Sequence, residues 1–110
     1  MLDLVIIGAG PAGLTASIYA KRAGFDFIVL EDKGPGGQIL STYEVDNYPG
    51  FPGISGMDLG KKMKEHADTL EVNFVSERVR LIEDKGEYKV VATDKNAYEA
   101  KNIIVATGAK

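Results

Sequence analysis

The sequence predicts an α/β domain in which a parallel sheet is joined to a small antiparallel β-meander. Apolar runs at 2–7 and 25–30 flank one helical segment, which is the pattern of a parallel strand–helix–strand unit. Between residues 72 and 100, short β-prone segments are separated by turn formers, which is the pattern of a meander. Glycine accounts for 13 of the 110 residues and is clustered. At these few places the backbone is expected to turn tightly or to lie close to another group, such as a ligand.

The first three elements form the parallel unit. Leu2–Ile7 is predicted to be a strand buried on both faces, because it is apolar and partly β-branched. Pro11–Ala23 is predicted to be a helix, with Gly24 as its C-terminal cap. Phe25–Leu30 is predicted to be the second strand. Small side chains repeat every four residues along the helix and are expected to lie against the sheet: Ala12, Ala16 and Ala20.

A second helix and the meander are predicted after a long segment rich in Gly, Pro, Asn and Tyr at 32–56. The aromatic and apolar side chains of that segment favour an ordered, functional loop over disorder. Ser55–Asp58 has the form of a capping box, and the helix that follows has one apolar face, Leu59, Met63, Ala67 and Leu70. The strands predicted beyond it are Val72–Ser76, Val79–Ile82, Tyr88–Thr93, a short piece near Tyr98, and a last buried strand, Asn102–Ala106.

Composition restricts the class of protein. Apolar residues make up 45% and charged residues 26%, so we expect one globular domain over residues 1–110. The net charge of −3, without a basic stripe, argues against nucleic acid as a partner. There is no cysteine and no cluster of metal ligands, so we expect no disulfide, no dithiol chemistry and no metal site in this stretch. Without a membrane-spanning run or a signal peptide, a cytoplasmic location is expected.

The segment Gly8–Gly13 reads Gly-Ala-Gly-Pro-Ala-Gly and lies between the first strand and the first helix. In a dinucleotide-binding turn, Gly8 permits the sharp turn, Gly10 lets the backbone approach a pyrophosphate, and Gly13 lets the helix pack against the sheet. The pyrophosphate is then held by main-chain N–H groups at the start of the helix, after Pro11 and including Ala12, where the helix dipole is positive. The alternative is a tight turn without a ligand.

Glu31 ends the second strand and supports the dinucleotide interpretation. Its carboxylate is placed to accept hydrogen bonds from the ribose hydroxyls, and an acid there disfavours the 2′-phosphate of NADP. The glycine turn and Glu31 do not separate FAD from NAD, because both cofactors contain an ADP half. An NAD-dependent dehydrogenase would place a helix after Glu31, whereas this sequence has the glycine loop 34–38.

Two further motifs favour FAD. Gly36, Gly37 and Gln38 form a loop whose side-chain amide is suited to a flavin ring edge, and Asn47 is a similar amide in a turn. Ala106, Thr107 and Gly108 follow the last predicted strand, and ligands bind at the carboxyl ends of parallel strands. Taken alone, the glycine loop is equally typical of a flexible surface loop, Asn47 indicates only a turn, and Ala106–Gly108 indicates only the end of a strand.

These motifs together resemble the low-molecular-weight thioredoxin reductases. The resemblance rests on G-A-G-P-A-G at 8–13, G-G-Q at 36–38, V-D-N-Y-P-G-F at 45–51 and A-T-G at 106–108, in this order. It implies the N-terminal part of an FAD-binding domain of the glutathione-reductase type, with a Rossmann-like sheet. It also implies that Gln38 and Asn47 lie near the flavin, that Thr107 and Gly108 line the cofactor, and that the main chain of Val79 approaches the adenine.

The resemblance further implies electron transfer from NADPH through FAD to the disulfide of a thioredoxin-like protein. The NADPH domain, its C-x-x-C and the C-terminal FAD segment would lie outside this chain, so we expect no turnover by the 110 residues alone. A non-catalytic fragment, or the FAD part of a relative such as a ferredoxin–NADP reductase, is the alternative. A homodimer also stays open. His66, in the second helix, is expected to be a solvated side chain rather than a base or a ligand.

Overall fold

The computed structural model describes residues 1–32 and 56–107. Its elements are β1 (Leu2–Ile7), α1 (Pro11–Arg22), β2 (Phe27–Leu30), α2 (Gly56–Thr69), β3 (Phe74–Val75), β4 (Val79–Asp84), β5 (Lys89–Thr93) and β6 (Ala97–Val105). Among the described residues, the strands form one six-stranded sheet in the order β3-β2-β1-β6-β5-β4. β3, β2, β1 and the second half of β6 are parallel, whereas β4, β5 and the first half of β6 are antiparallel. The predicted fold class is confirmed.

Two hydrophobic clusters divide the domain into layers. The parallel strands place Leu4, Ile6 and Val29 on the face covered by the helices, where they pack with Leu14 and Leu59. The opposite face of the same strands is packed against side chains of the meander; this second cluster contains Val5, Ile7, Ile28, Leu30, Val91 and Ala100. Because strands buried on both faces need apolar residues, the apolar run of β2 and that of β1, interrupted only by Asp3, are explained.

Strand β6 corrects one sequence prediction. The short piece near Tyr98 and the strand Asn102–Ala106 belong to a single strand of nine residues. Its first residues pair with β5 and its last residues pair with β1, with Ala100 taking part in both ladders. The meander is therefore the antiparallel continuation of the parallel sheet rather than a separate unit.

The end of β6 is exposed, so the prediction that it is buried was wrong. Ile104 is 39% exposed and Val105 is 62% exposed. The β5 ladder ends at Ala100, so the last residues of β6 pair with β1 alone. Neither side chain joins either hydrophobic cluster of the described residues.

Helix α1 buries a different face from the predicted one. Its buried residues are Gly13, Leu14, Ser17 and Ala20, whereas Ala12 is exposed and Ala16 is half-buried. The predicted alanine contact with the sheet was therefore wrong for Ala12. Packing is instead set by Gly13, the last residue of the glycine segment, and by Leu14 after it. The 3.6-residue period places Ser17 and Ala20 on the same side of the helix.

The end of α1 explains why β2 is shorter than predicted. The N–H of Gly24 donates to the carbonyl of Lys21, and the N–H of Phe25 donates to the carbonyl of Ala20. These two bonds form a Schellman cap, with Gly24 at φ +80°. Phe25 thus belongs to the cap of the helix, and the strand begins only at Phe27.

Helix α2 has the predicted apolar face, with Leu59, Met63 and Ala67 buried and Leu70 packed beside them. Ser55, the first residue of the predicted capping box, lies outside the described residues. His66 is exposed, as expected. None of the helices in the described part of the chain is long and apolar enough to cross a membrane.

Candidate dinucleotide site

The carboxyl ends of four neighbouring strands, β3, β2, β1 and β6, meet at one edge of the sheet. The N–H of Gly8, just after β1, donates to the carbonyl of Leu30 at 2.8 Å, and the N–H of Ala106 donates to the carbonyl of Ile7 at 2.7 Å. The N–H of Glu31 donates to the carbonyl of Val75 at 3.1 Å. These bonds extend the parallel ladders beyond the strands and fix the glycine turn, Glu31 and the end of β6 beside one another. This edge is the place where ligands bind in open α/β sheets.

Gly8 and Gly13 are required by the packing of the turn itself. Gly8 has φ +104°, and a Cβ there would overlap the main-chain carbonyl of Ala106, with its carbon at 2.6 Å. A Cβ at Gly13 would overlap the carbonyl oxygen of Gly8 and approach the Cβ of Ala106 at 3.6 Å. The backbone of the turn thus lies directly against both the start of α1 and Ala106, the residue that follows β6. Two sequence motifs that are 93 residues apart in the chain, at 13 and 106, form one structural unit.

Gly10 differs from the other two glycines. It is the N-cap of α1, and its backbone has φ −75° and ψ −171°, an extended conformation that any residue adopts. Its carbonyl accepts the first helical hydrogen bond from the N–H of Leu14 at 2.9 Å. The backbone conformation therefore does not require glycine at this position, and the predicted role of Gly10 beside a pyrophosphate stays a prediction.

The N-terminus of α1 offers main-chain donors and no competing acid. Pro11 has no N–H, and the N–H groups of Ala12 and Gly13 precede the first intrahelical bond. The helix has no side-chain cap and no acidic residue in its first turn, whereas Lys21 and Arg22 lie in its last turn. An anion at this end interacts favourably with the helix dipole, typically by about 0.3–1 kcal/mol at an exposed site.

The carboxylate of Glu31 lies directly beside the turn. Its Oε2 accepts a hydrogen bond from the N–H of Ala9 at 2.9 Å, across 22 residues of sequence. Glu31 is half-buried, and Ala9 is fully buried. The contact holds the acid beside the glycine turn, and the predicted hydrogen bonds of Glu31 to a ribose stay a prediction.

The structure brings together eight of the predicted site residues at this edge. They are Gly8, Gly10, Pro11, Ala12, Gly13, Glu31, Ala106 and Thr107. Val79 begins β4 and packs against the second hydrophobic cluster, and its predicted approach to the adenine stays a prediction. Gly36, Gly37, Gln38, Asn47 and Gly108 lie outside the described residues, so their predicted roles also stay predictions. No group of acidic or histidine side chains in 1–32 and 56–107 is arranged to hold a metal ion.

Sequence reasoning missed Glu77. This carboxylate is only 9% exposed, and it accepts hydrogen bonds from the hydroxyls of Thr93 and Tyr98 and from the amide of Asn96. The hydrogen bond from Thr93 is the main cause of the lowered pKa of Glu77, with those from Tyr98 and Asn96 adding to it. No local pattern signals this residue, because its partners are brought together only by the meander.

Glu77 is expected to make stability depend on pH. Because its pKa in the folded chain lies below the ordinary value of 4.5, its contribution is complete above that value and is lost as the pH falls through the folded pKa. The free energy of unfolding, measured with urea at about pH 7 and about pH 4, should therefore fall more in the unmodified chain than in Glu77→Gln. An equal fall in both proteins would assign the acid sensitivity to other carboxylates, such as Asp3 and Asp84, whose pKa values are also lowered.

Comparison with known proteins agrees with this geometry. Residues 2–110 match the family model described as pyridine nucleotide-disulphide oxidoreductase. A Clostridium pasteurianum protein, named as a 34.2 kDa protein in the rubredoxin operon, is 52% identical over 113 residues, which cover 99% of this chain and 36% of that protein.

Two solved structures share the fold over essentially the whole chain. Thioredoxin reductase from Lactococcus lactis is 44% identical with a TM-score of 0.96, covering 100% of this chain and 36% of that one. A ferredoxin-flavin thioredoxin reductase from Clostridium acetobutylicum is 36% identical with a TM-score of 0.91, covering 99% of this chain and 38% of that one. The chain thus spans little more than a third of the length of these relatives. With a family match along nearly its full length and a matching fold, the chain belongs to the pyridine nucleotide-disulphide oxidoreductase family.

Proposed function

We propose that this chain is the FAD-binding portion of a flavoprotein disulfide reductase of the thioredoxin reductase type. The observation that carries the proposal is the meeting of the glycine turn, the Glu31 carboxylate and the end of β6 at one sheet edge. The N-terminus of α1 would hold the pyrophosphate, and Glu31 would accept hydrogen bonds from the adenosine ribose. Ala106 and Thr107 would line the cofactor, and the main chain of Val79 would approach the adenine.

FAD is favoured over NAD by the family and by the sequence. The two solved relatives described above are thioredoxin reductases, and one of them is named as a ferredoxin-flavin enzyme. FAD is also supported by a glycine loop and two side-chain amides that are suited to a flavin: Gly36, Gly37, Gln38 and Asn47. Gly108, which follows Ala106 and Thr107, would line the cofactor with them. When bound, the flavin supplies the two-electron chemistry, and the protein's residues bind and orient it.

In the whole protein we propose that NADPH, bound outside this chain, supplies the electrons and that the disulfide of a thioredoxin-like protein receives them. A second candidate donor is ferredoxin, which the name of the Clostridium acetobutylicum relative favours. Four expectations stay predictions: no turnover by the 110 residues alone, a cytoplasmic location, a homodimer, and a single domain over 1–110.

FAD titration tests the proposed function. Quenching of flavin fluorescence by the purified chain should saturate at one FAD per chain. ADP should compete, whereas 2′,5′-ADP should not, because the Glu31 carboxylate would repel and crowd a 2′-phosphate. If neither FAD nor ADP binds in the titration or in calorimetry, the proposal is overturned for this chain.

Glu31→Ala is expected to weaken FAD binding by about 1–3 kcal/mol, because charge-assisted hydrogen bonds to the ribose are lost. Calorimetric titration measures this change directly. Removing any acid also reduces the repulsion of an anionic ligand, and a control variant has to account for this change in charge. The matched control is Glu99→Ala, which removes an exposed carboxylate on the amino-terminal half of β6. Equal affinities of the two variants would exclude a ribose contact by Glu31.

A further inference from the structure

Glu77 is a buried acid outside the glycine turn, between β3 and β4. Its Oε1 accepts the hydroxyl of Thr93 at 2.6 Å, and its Oε2 accepts the hydroxyl of Tyr98 at 2.9 Å and the amide of Asn96 at 3.1 Å. Among residues 1–32 and 56–107 it is the one buried carboxylate, and no lysine or arginine there forms a salt bridge with it. An ionised carboxylate only accepts hydrogen bonds, and here three neutral donors meet its two oxygens.

The donors tie the segment before β4 to the turn between β5 and β6. Beside Glu77, the main chain of Arg78 is held twice by Asp94: its N–H donates to Oδ1 at 3.2 Å, and its carbonyl accepts the N–H of Asp94 at 3.0 Å. The turn itself is closed by the hydroxyl of Thr93, which accepts the N–H groups of Lys95 and Asn96. The turn therefore holds Glu77 through its side chain and Arg78 through its main chain.

Val79 itself pairs with Thr93, but the β4 ladder is interrupted directly after it. Val79 lies opposite Thr93 and Leu81 lies opposite Ala92, so Arg80 is an extra residue and the register shifts at this point. A β-bulge locally interrupts the ladder and redirects the main chain, and bulges are frequent beside binding sites. The position of the Val79 main chain thus depends on its pairing with Thr93 and on the contacts that hold the residues immediately before it.

We infer that Glu77 is a positioning residue that fixes the main chain of Val79 for recognition of the adenine ring. The inference rests on the proposed function, which places the adenine at Val79. Glu77 does not touch the nucleotide; it acts through the Glu77–Arg78 main chain, which the 93–98 turn holds in place. The arrangement also connects to Glu31, since the N–H groups of Glu77 and Glu31 both donate to the carbonyl of Val75.

Base selectivity tests this inference separately from binding. Adenine presents an exocyclic donor beside a ring acceptor, whereas guanine presents a carbonyl acceptor beside a ring donor, so a fixed main-chain pair that accepts one rejects the other. The unmodified chain should bind ADP more tightly than GDP. In Glu77→Ala the ratio of the two affinities should fall by about tenfold, which corresponds to the loss of one well-placed hydrogen bond.

Two controls separate positioning from general destabilisation. Glu77→Gln keeps an acceptor for Tyr98 and Asn96 and loses only the bond from the Thr93 hydroxyl, which already accepts two N–H groups, so it should retain the ratio better than Glu77→Ala. Met63→Ala removes a buried side chain of α2 and lowers the melting temperature, and it should leave the ratio unchanged when measured well below that temperature. If Glu77→Ala does not fold, Tyr98→Phe, which removes one donor, should lower the ratio by a smaller factor.

An unchanged ADP to GDP ratio in folded Glu77→Ala, or in Tyr98→Phe if that variant replaces it, would overturn the inference. Equal binding of ADP and GDP by the unmodified chain would overturn it too, while leaving the proposed dinucleotide site intact. If the unmodified chain binds neither nucleotide, the proposed function fails and this inference fails with it.

Discussion

Gly13→Ala should destabilise the chain by about 3 kcal/mol or more, because the added methyl group meets backbone rather than a movable side chain. Its Cβ would overlap the carbonyl oxygen of Gly8, and the Cβ of Ala106 lies only 3.6 Å away. Relief requires α1 to move away from β1 and β6, and that movement also opens the cluster around Leu14. Urea unfolding followed by circular dichroism measures the change.

Gly24→Ala is the matched control for Gly13→Ala. Gly24 has φ +80°, but a Cβ there would have no other atom within 4 Å. Only the cost of a left-handed backbone conformation applies, about 1–2 kcal/mol. If Gly13→Ala were no more destabilising than Gly24→Ala, the close contact between the helix and the turn would be refuted.

Gly10→Val is expected to abolish dinucleotide binding while the fold is kept. The extended backbone of Gly10 accommodates valine, so the loss of stability should be about 1 kcal/mol, the cost of a poor N-cap residue. The branched side chain would hold a pyrophosphate away from the N–H groups of Ala12 and Gly13. Flavin fluorescence titration and urea unfolding, made on the same preparation, measure the two effects.

The pattern of these two results distinguishes the roles of the glycines. Gly13→Ala should mainly lose stability, and Gly10→Val should mainly lose dinucleotide binding. Unchanged FAD affinity in folded Gly10→Val would show that the pyrophosphate is not placed at this turn.

The parallel unit was predictable because its signals are local. The apolar runs of β1 and β2 give buried strands, Pro11 marks the start of α1, and Gly24 marks its end. The glycine turn and Glu31 are likewise separated by one helix and one strand, so their meeting follows from the right-handed strand–helix–strand connection.

Features that depend on distant parts of the chain were not predictable. The sequence around Asp94-Lys95-Asn96 indicates a turn, but it does not show that β6 continues from the meander into the parallel sheet beside β1. The choice of the buried face of α1 is set by the contact of Gly13 with Gly8 and not by alanine spacing. Glu77 is an ordinary charged residue in the sequence, and its role depends on partners 16 to 21 residues away.

The most direct test of the account is an NMR titration of the isotopically labelled chain with ADP, following each main-chain amide. We predict that the largest shift changes lie at the sheet edge, in Gly8–Gly13 with Glu31, and at Val79. Amides at the amino-terminal end of the parallel strands, such as those of Leu2 and Asp26, should stay unchanged. Shift changes confined to that opposite end, or none in the glycine turn at saturating ADP, would contradict the proposed binding of a dinucleotide at this edge.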